Sequence, residues 1–568
     1  MTTKSSLIDC GNGVRLERGV TAVMRDGIEL VSDHYYPPGD GPFPTLLMRQ
    51  PYGRAIASTV VYAHPVWFAR AGYHVVIQDV RGRGDSEGDF YPFRQEGPDG
   101  FDTLSWLVNH SACNGKIGMY GFSYQGMTQW LAAAEHPPGL LAIAPWMTAH
   151  NLYEGWFYQQ SVLRLADTIG WGIQMLREDA RRRQLTSVSA ELETAWVQAR
   201  QQAYFAPYGE LPVLAHKGLP SYVRDWIEHR SRDDYWRALD IGDRVASVRL
   251  PALHLSGWYD LFLRGSVAGF RAFSAAGVPH QYLVAGPWVH IPWGDRVGDM
   301  SLGEAARFDT NKLLLRWFNH WLKETDDFAG EPLVRHFVLG ANCWTESDVW
   351  GGSQQRTYFL RSDGAANSRQ GDGKLWANRP DKIEARDWFV HDPETPIAAP
   401  GGPTGAAGSF DQSGIEQGNN VLVYTSEALE EKVDVFGSPV LTLYATSSAE
   451  STDFVGKLVR VRPDHKCEFI CIGIARSDSL WGERYRADQV QKWRIELEPT
   501  SCRFNQGDSI RLEIASSAFP LYDRNPGVKI APSKASPWNW RRSTQSILHQ
   551  PGAESKLELP VTPCTDRR

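Results

Sequence analysis

A short run near position 120 constrains the fold of this chain more than any other feature. Residues 116–120 are apolar enough to form a buried strand, and residues 127–134 favour a helix that ends before two prolines. Between them the chain reads Gly121-Phe122-Ser123-Tyr124-Gln125-Gly126. A strand that turns abruptly into a helix pushes Ser123 out of the sheet, and small neighbours at Gly121 and Gly126 relieve the crowding. The pattern predicts a nucleophilic serine, although Ser123 could also be only the cap of the helix.

The surrounding sequence alternates between strand and helix signals from about residue 19 to residue 150. Strands are predicted at 31–36, 45–49 and 74–79, and an amphipathic helix at 101–108. This alternation is typical of a mostly parallel sheet with helices on both faces, whose functional groups gather at the carboxyl ends of the strands. Strands return at 248–255 and 281–285, and Asp309 is a candidate N-cap for a helix over residues 310–323.

Two other parts of the chain have a different character. Strand signals vanish between 151 and 244, and residues 176–201 have helical spacing. After residue 350, short alternating runs recur between Gly, Pro and Asp turns, which is typical of an antiparallel sandwich or jelly roll. We therefore predict an α/β-hydrolase fold in which residues 1–150 and 245–350 form the catalytic domain, 151–244 a helical cap and 351–568 a β jelly roll.

Composition excludes several classes of protein. A chain of 568 residues is too long for one core. Its net charge of −7, spread without long runs, argues against nucleic acid or an anionic membrane as partner. Its seven cysteines form no C-x-x-C pair, and no zinc, phosphate-loop or dinucleotide motif occurs, so we expect no cofactor and no metal. Without an apolar leader or a membrane-length apolar stretch, the predicted location is the cytoplasm. A homo-oligomer is left open.

The partners that Ser123 needs follow it in the expected order. In α/β-hydrolases an acid and then a histidine come after the serine, each beyond a core strand. Asp260 follows the strand at 251–255 and His290 follows the strand at 281–285, each in a predicted loop five residues past its strand. Ser123, Asp260 and His290 are thus the predicted triad. Asp260 could instead cap a helix near Leu261.

Other acids and histidines fit the triad less well. One histidine lies within a predicted strand, another within a predicted helix, and two aspartates come after His290 and break the chain order. They are His254, His320, Asp295 and Asp299.

Five motifs, in order, resemble those of the cocaine esterase family, which belongs with the X-prolyl dipeptidyl peptidase group of serine hydrolases. They are Arg49-x-Pro51-Tyr52, the segment 78–88, Gly121-x-Ser123-Tyr124-x-Gly126, Gly257-Trp258-Tyr259-Asp260 and Gly286-Pro287-Trp288-x-His290. The resemblance covers the whole chain, including the cap and the jelly roll. It implies that the Tyr52 hydroxyl and the Tyr124 N–H form the oxyanion hole, and that glycine at 126 is the family's form of the turn.

The predicted substrate is a small ester, with amides left open. Relatives that hydrolyse α-amino acid esters or β-lactam side chains hold the substrate's ammonium group with a cluster of carboxylates. Two positions of that cluster are Phe262 and Leu263 in this chain, so Glu154 in the cap is the only acid left at the expected positions. We therefore expect an apolar pocket for neutral or aryl acyl groups. The aromatic residues expected to line it are Tyr52, Trp156, Phe157, Trp258 and Phe262.

Three other functions stay open on the sequence. The chain could be an X-Pro dipeptidyl aminopeptidase or an α-amino acid ester hydrolase and β-lactam acylase, which the missing acid cluster disfavours. It could also be a carbohydrate-binding jelly-roll protein, which a triad in the expected order disfavours.

Overall fold

The first part of the chain builds a sheet around the strand that precedes Ser123. The computed structural model describes residues 7–56, 59–202, 207–214 and 216–563. The elements before residue 150 are β1 Ile8–Asp9, β2 Arg15–Val23, β3 Glu29–Tyr36, β4 Phe43–Gln50, α1 Pro65–Arg70, β5 His74–Asp79, α2 Glu96–Val108, β6 Cys113–Phe122, α3 Tyr124–Ala133 and β7 Leu140–Trp146.

The helical insertion follows and packs over the end of the sheet where Ser123 lies. It opens with a π-helical turn, Tyr153–Phe157. The other elements are β8 Tyr158–Gln159, β9 Val162–Leu163, α4 Leu165–Arg182, α5 Thr186–Gln202, α6 Tyr222–Glu228 and α7 Asp234–Leu239. The helical stretch predicted at 176–201 is two helices, α4 and α5, which break near Arg183.

The chain then returns to the sheet. The elements are β10 Ala252–Tyr259, α8 Leu263–Ala275, β11 Gln281–Val289, β12 Arg296–Val297, β13 Met300–Ser301, α9 Thr310–Lys323, β14 Val334–Val338 and β15 Cys343–Ser347. Helix α9 has the predicted bounds, and the Asp309 carboxylate accepts the Lys312 N–H as its N-cap.

Within the described chain, eleven strands form the first sheet, in the order β1-β2-β3-β5-β4-β6-β7-β10-β11-β14-β15. The run from β5 to β14 is parallel, while β2, β3 and β15 pair antiparallel at the two edges. The carboxyl ends of β4, β6, β10 and β11 therefore lie along one edge of the sheet, where parallel α/β folds place their ligands.

The C-terminal half is rich in strands, most of them paired antiparallel. Its elements are β16 Gln354–Arg361, β17 Lys374–Trp376, β18 Asp387–His391, β19 Leu422–Thr425, β20 Val433–Gly437, β21 Val440–Ser447, β22 Asp453–Val461, β23 Cys467–Arg476, α10 Ser477–Trp481, β24 Gln491–Glu496, β25 Thr500–Phe504, β26 Ser509–Ala515, β27 Ser543–Gln550, β28 Ala553–Glu554 and β29 Lys556–Thr562. Its apolar core is continuous with buried residues of β10 and β11. The two halves thus share a core.

Backbone hydrogen bonds also join the cap to the C-terminal half. The first N–H groups of an α-helix have no partner within the helix. In α4 the N–H groups of Leu165 and Ala166 donate to the carbonyls of Leu521 and Pro520, each at 3.1 Å. A loop from the far end of the chain therefore caps the start of α4.

The exact limits of the three predicted domains stay a prediction. None of the helices in the described ranges is long and apolar enough to span a bilayer.

Candidate active site

Ser123 stands at the tip of the turn between β6 and α3. Its backbone has φ 61° and ψ −127°, a conformation that costs a non-glycine residue free energy. The Ser123 N–H donates to the carbonyls of Trp146 and Met147 at 2.9 and 3.0 Å, which ties the turn to the end of β7. The surrounding structure thus holds Ser123 in a strained conformation at the start of a helix.

The two glycines of the turn lie where a side chain could not fit. Gly121 has φ 141°, and a Cβ there would collide with the side chain of Gln125. At Gly126 a Cβ would come within 2.6 Å of Thr148 Cγ2. The Gln125 side chain folds back over the turn, and its Oε1 accepts the Phe122 N–H at 3.2 Å. The contact that excludes a side chain is therefore at position 126, and position 125 can hold glutamine.

His290 and Asp260 are joined at the ends of two neighbouring parallel strands. His290 Nδ1 lies 2.6 Å from Asp260 Oδ2. The other Asp260 oxygen accepts the Phe262 N–H at 2.7 Å, and the carboxylate is fully buried. A carboxylate at Nδ1 keeps the proton on that nitrogen and leaves Nε2 as the acceptor. Both His290 and Ser123 line the same cavity.

The strands before these two residues are longer than predicted. β10 ends at Tyr259 and β11 at Val289, so Asp260 and His290 follow their strands directly rather than in loops five residues on. The glycines at 257 and 286 led to the prediction of loops. They lie opposite one another in the strand pairing, and a Cβ at either position would collide with Trp288. These glycines permit close packing and do not mark turns.

Tyr52 reaches the serine from the loop after β4. Its N–H donates to Gln50 Oε1 at 2.7 Å, and the Gln50 amide donates to Asp79 Oδ1 at 3.1 Å. The Tyr52 hydroxyl accepts the Trp171 Nε1–H at 3.2 Å and also interacts with the Ser123 side chain. Burial raises the pKa of Tyr52 to about 12, so the hydroxyl stays protonated at neutral pH and can donate.

Tyr124 is the first residue of α3, where backbone N–H groups point out of the helix end. Its side chain points away from the cavity, because its hydroxyl donates to Glu96 Oε1 at 2.7 Å and its ring stacks on Phe93. The N–H of Tyr124, not its ring, is thus what this residue offers at the serine.

A cavity of about 480 Å³ opens over Ser123, and most of its wall is aromatic or aliphatic. Trp156 and Phe262 pack with ring centroids 4.0 Å apart, and Trp171 stacks on Trp226 behind it. The described lining residues are Tyr52, Ile56, Val60, Phe122, Ser123, Gln125, Trp156, Phe157, Ala166, Asp167, Thr168, Gly170, Trp171, Gln174, Trp196, Leu261, Phe262, His290 and Ile291. They come from the sheet and the cap. None of the described lining residues lies in the C-terminal half.

Comparison with known proteins places this arrangement in a family. Residues 26–292 match the model of the X-Pro dipeptidyl-peptidase (S15) family, and residues 326–558 match the C-terminal non-catalytic domain of X-Pro dipeptidyl-peptidase. The cocaine esterase of Rhodococcus sp. (strain MB1 Bresler) is 34% identical over 95% of this chain and 98% of its own length. The chain belongs to the cocaine esterase family. It is therefore a serine hydrolase.

Solved structures show the same fold. An aminopeptidase from a marine sediment Thaumarchaeota archaeon aligns with a TM-score of 0.82 at 23% identity, over 99% of both chains. An α-amino acid ester hydrolase aligns with a TM-score of 0.79 at 24% identity, over 98% of both chains. The predicted fold class, an α/β-hydrolase with a helical cap and a C-terminal β domain, is confirmed.

Most of the predicted site residues lie together, but Trp258 does not. Tyr52, Ser123, Trp156, Phe157, Phe262 and His290 all line the cavity, with Asp260 directly behind His290. Trp258 is 2% exposed and its indole N–H donates to the Phe337 carbonyl at 2.7 Å. The prediction that Trp258 binds substrate was wrong, because β10 continues through it and buries its ring in the core.

The acid of the cavity is not the one that the sequence singled out. Glu154 is absent from the described lining, and its carboxylate accepts the Gln160 N–H at 3.2 Å. Asp167, in the first turn of α4, lines the cavity instead. In the sequence, Asp167 is only a carboxylate near the start of a helix, and such residues are common on protein surfaces, so nothing indicated that it lines the cavity. Trp171 was missed for a similar reason, since its bond to Tyr52 joins residues 119 positions apart.

Proposed function

We propose that this hydrolase cleaves carboxylic esters through an acyl-enzyme on Ser123, and that it prefers neutral or aryl acyl groups. The observation that carries the proposal is the cavity over Ser123, whose wall is largely aromatic or aliphatic and which contains Tyr52 and His290. Such a surface favours burial of an apolar acyl group beside the nucleophile.

In the proposed reaction, Ser123 Oγ attacks the ester carbonyl carbon while His290 Nε2 accepts its proton. His290 then returns the proton to the leaving alcohol, and water repeats the sequence to release the acid. Asp260 holds the imidazole in the required tautomer and stabilises its protonated form. The Tyr52 hydroxyl and the Tyr124 N–H donate to the oxyanion, and one such donor is typically worth about 2.7–4 kcal/mol.

The experiment compares the native protein with Ser123→Ala on one substrate panel. The panel holds short and long acyl p-nitrophenyl esters, a benzoate ester, an α-aminoacyl ester and an X-Pro anilide. We expect turnover of the neutral and aryl esters that depends on Ser123. Full activity in Ser123→Ala would contradict the nucleophile, and a marked preference for the X-Pro anilide would favour an aminopeptidase instead.

A second candidate activity is hydrolysis of α-amino acid esters, and Asp167 favours it. Burial raises the pKa of Asp167 to about 6, with the Arg164 guanidinium opposing that rise. Arg164 Nε is 3.4 Å from Asp167 Oδ2, and Arg164 Nη1 is 3.7 Å from Glu498 Oε1. The buried Glu498 carboxylate and the partly exposed Asp167 carboxylate thus face the same guanidinium. A substrate ammonium in the cavity could pair with the Asp167 carboxylate.

A matched pair of substrates separates the two candidates. The p-nitrophenyl esters of phenylacetate and of phenylglycine differ by the amino group alone. In Asp167→Asn we expect kcat/KM for the phenylglycine ester to fall about tenfold and that for the phenylacetate ester to stay unchanged. Glu154→Gln is the control, because Glu154 does not belong to the described cavity wall. An equal effect on both esters would exclude Asp167 as an amine ligand.

The remaining expectations concern the setting of the reaction. We infer a small-molecule substrate, with no nucleic acid and no membrane as partner. The cytoplasmic location and the oligomeric state stay predictions.

A further inference from the structure

Three histidines lie together at the end of the sheet opposite Ser123. His34 lies in β3, His74 is the first residue of β5, and His110 follows α2. The last residue of β5, Asp79, accepts the Arg54 N–H from the loop that carries Tyr52, so the length of this strand separates the histidines from the cavity. One ring nitrogen from each histidine can be chosen so that all three lie within 4.8 Å of one another.

We propose that His34, His74 and His110 form a binding site for one divalent transition-metal ion such as Zn²⁺. Three imidazoles whose nitrogens lie about 2.05 Å from a tetrahedral ion have ring centroids roughly 5.2 Å apart. The centroid distances are 4.9 Å between His34 and His74, 5.2 Å between His34 and His110, and 5.4 Å between His74 and His110. His34 Nδ1 and His74 Nε2 lie 3.0 Å apart, a separation that two ligand atoms of one ion can adopt.

The outer nitrogens of two rings have the partners that metal-binding histidines use. The Ser32 hydroxyl donates to the Val20 carbonyl at 3.1 Å, so it can accept from His34 Nε2, 2.9 Å away. Thr45 Oγ1 lies 3.2 Å from His74 Nδ1. Hydroxyls on these nitrogens fix the rings with His34 Nδ1 and His74 Nε2 facing inward. In the metal-free chain those two nitrogens share one proton, and binding moves it to His74 Nδ1, beside Thr45.

His110 is the ligand that has to change most. Its Nδ1 accepts the Ala112 N–H at 3.2 Å, and a metal has to displace this contact whichever ring nitrogen it uses. His110 is also the partly exposed member of the cluster, which gives an ion a path from solvent and leaves room for water as a fourth ligand.

A carboxylate lies near the cluster. The Glu17 carboxylate accepts the Tyr36 hydroxyl at 2.7 Å, and the Tyr36 ring stacks on those of His74 and His110, so a carboxylate stands near a cation bound between the histidines.

This proposal differs from the expectation of no metal, and the sequence explains why. The three histidines are 40 and 36 residues apart, so no short ligand motif connects them. Antiparallel pairing of β3 with β5 brings the first two together, and the turn after α2 adds the third. A bound ion would join β3 and β5 to the turn that follows α2.

The experiment uses the full-length chain after treatment with a chelator. We expect calorimetric titration with Zn²⁺ to give one ion per chain and a higher Tm on saturation. Bound Co²⁺ should show the intense visible absorption of tetrahedral coordination. His110→Gln, at the exposed ligand, should weaken binding at least about 100-fold and Ser32→Ala about tenfold, while the exposed His136→Asn should bind as the native chain does.

Fold and site are controlled separately. Each variant should keep its Ser123-dependent ester turnover, because no described lining residue of the cavity is among the hydrogen-bond or ring contacts of the three histidines. If a histidine variant does not fold, anomalous diffraction from Zn²⁺-soaked native crystals decides the matter, since the ion should lie between the three rings. An ion found elsewhere, unchanged affinity in folded His110→Gln, or no binding up to millimolar Zn²⁺ would overturn the site.

Discussion

The two walls of the cavity are held in place by different forces. We call Tyr52, Ser123 and His290 the catalytic wall, and Trp156, Phe157, Asp167 and Trp171 the cap wall. Hydrogen bonds of 2.6 to 3.0 Å fix the catalytic wall through Asp260, Gln50 and the end of β7. The cap wall is held mainly by ring packing, as between Phe157 and Trp226 at 4.5 Å.

This difference separates chemistry from selectivity. Hydrogen bonds have narrow geometric limits, so the catalytic wall can orient reacting atoms but tolerates little change. Packed rings can be replaced by others of similar volume, so the cap wall can vary with the acyl group that it receives. We expect mutations in the first wall to lower kcat and those in the second to change substrate preference.

The largest effect should come from the catalytic wall. Tyr52→Phe removes the hydroxyl that is proposed to stabilise the oxyanion, so kcat for a neutral ester should fall by about 10²–10³ with little change in KM. Tyr62→Phe is a matched control, because the buried Tyr62 hydroxyl has no hydrogen-bond partner among the described residues. Equal losses in both variants would remove Tyr52 from the oxyanion hole.

Phe262 should control selectivity, because its ring contacts both Trp156 and His290. Phe262→Ala should reduce kcat/KM for a benzoyl ester by about tenfold relative to an acetyl ester, since burying an aromatic group is worth about 1.5–3 kcal/mol. The ratio of the two kcat/KM values measures the change. An unaltered ratio would mean that Phe262 does not contact the acyl group.

The pH dependence should expose the acid in the cap wall. Because the pKa of Asp167 is about 6, its side chain is neutral below that pH and negative above it. For the phenylglycine ester, the advantage of the native protein over Asp167→Asn should therefore grow up to about tenfold as pH rises through 6. The phenylacetate ester should give the same pH profile with both proteins. A common profile for both esters would contradict an amine site at Asp167.

The smallest effect should come from the bond between the two walls. Trp171→Phe keeps an aromatic ring but removes the N–H that donates to Tyr52, so kcat should fall about threefold to tenfold, as expected for a hydrogen bond worth about 0.5–1.5 kcal/mol. In Trp226→Phe the lost N–H has no hydrogen-bond partner in the part of the chain that the structure describes, so kcat should stay unchanged. The Trp171→Phe loss should disappear when Tyr52 is already phenylalanine. A loss that persists there would mean that Trp171 acts through packing.

Much of the catalytic wall could be predicted because its signals are local. The strand at 74–79 and the helix at 310–323 have their predicted bounds. Ser123 and its flanking glycines occupy one turn. Asp260 and His290 each come directly after a strand, and the apolar run of that strand can be recognised in the sequence.

The cap wall depends on contacts that the sequence does not display. Asp167 owes its raised pKa to burial, and its partner Arg164 also faces Glu498, more than 300 residues away. The prediction that Trp258 lines the pocket was wrong because aromatic residues near glycines occur both in pockets and in the cores of strands. Only the tertiary structure distinguishes these cases.

The hydrogen bonds from the start of α4 to Leu521 and Pro520 bear on how new variants should be built. A chimera that receives the cap of a relative would also need that relative's loop near residue 520. Directed evolution that mutates only the cap would leave unchanged the loop near residue 520, which accepts hydrogen bonds from the start of α4. Libraries for new acyl specificities should therefore combine the beginning of α4 with this distant loop.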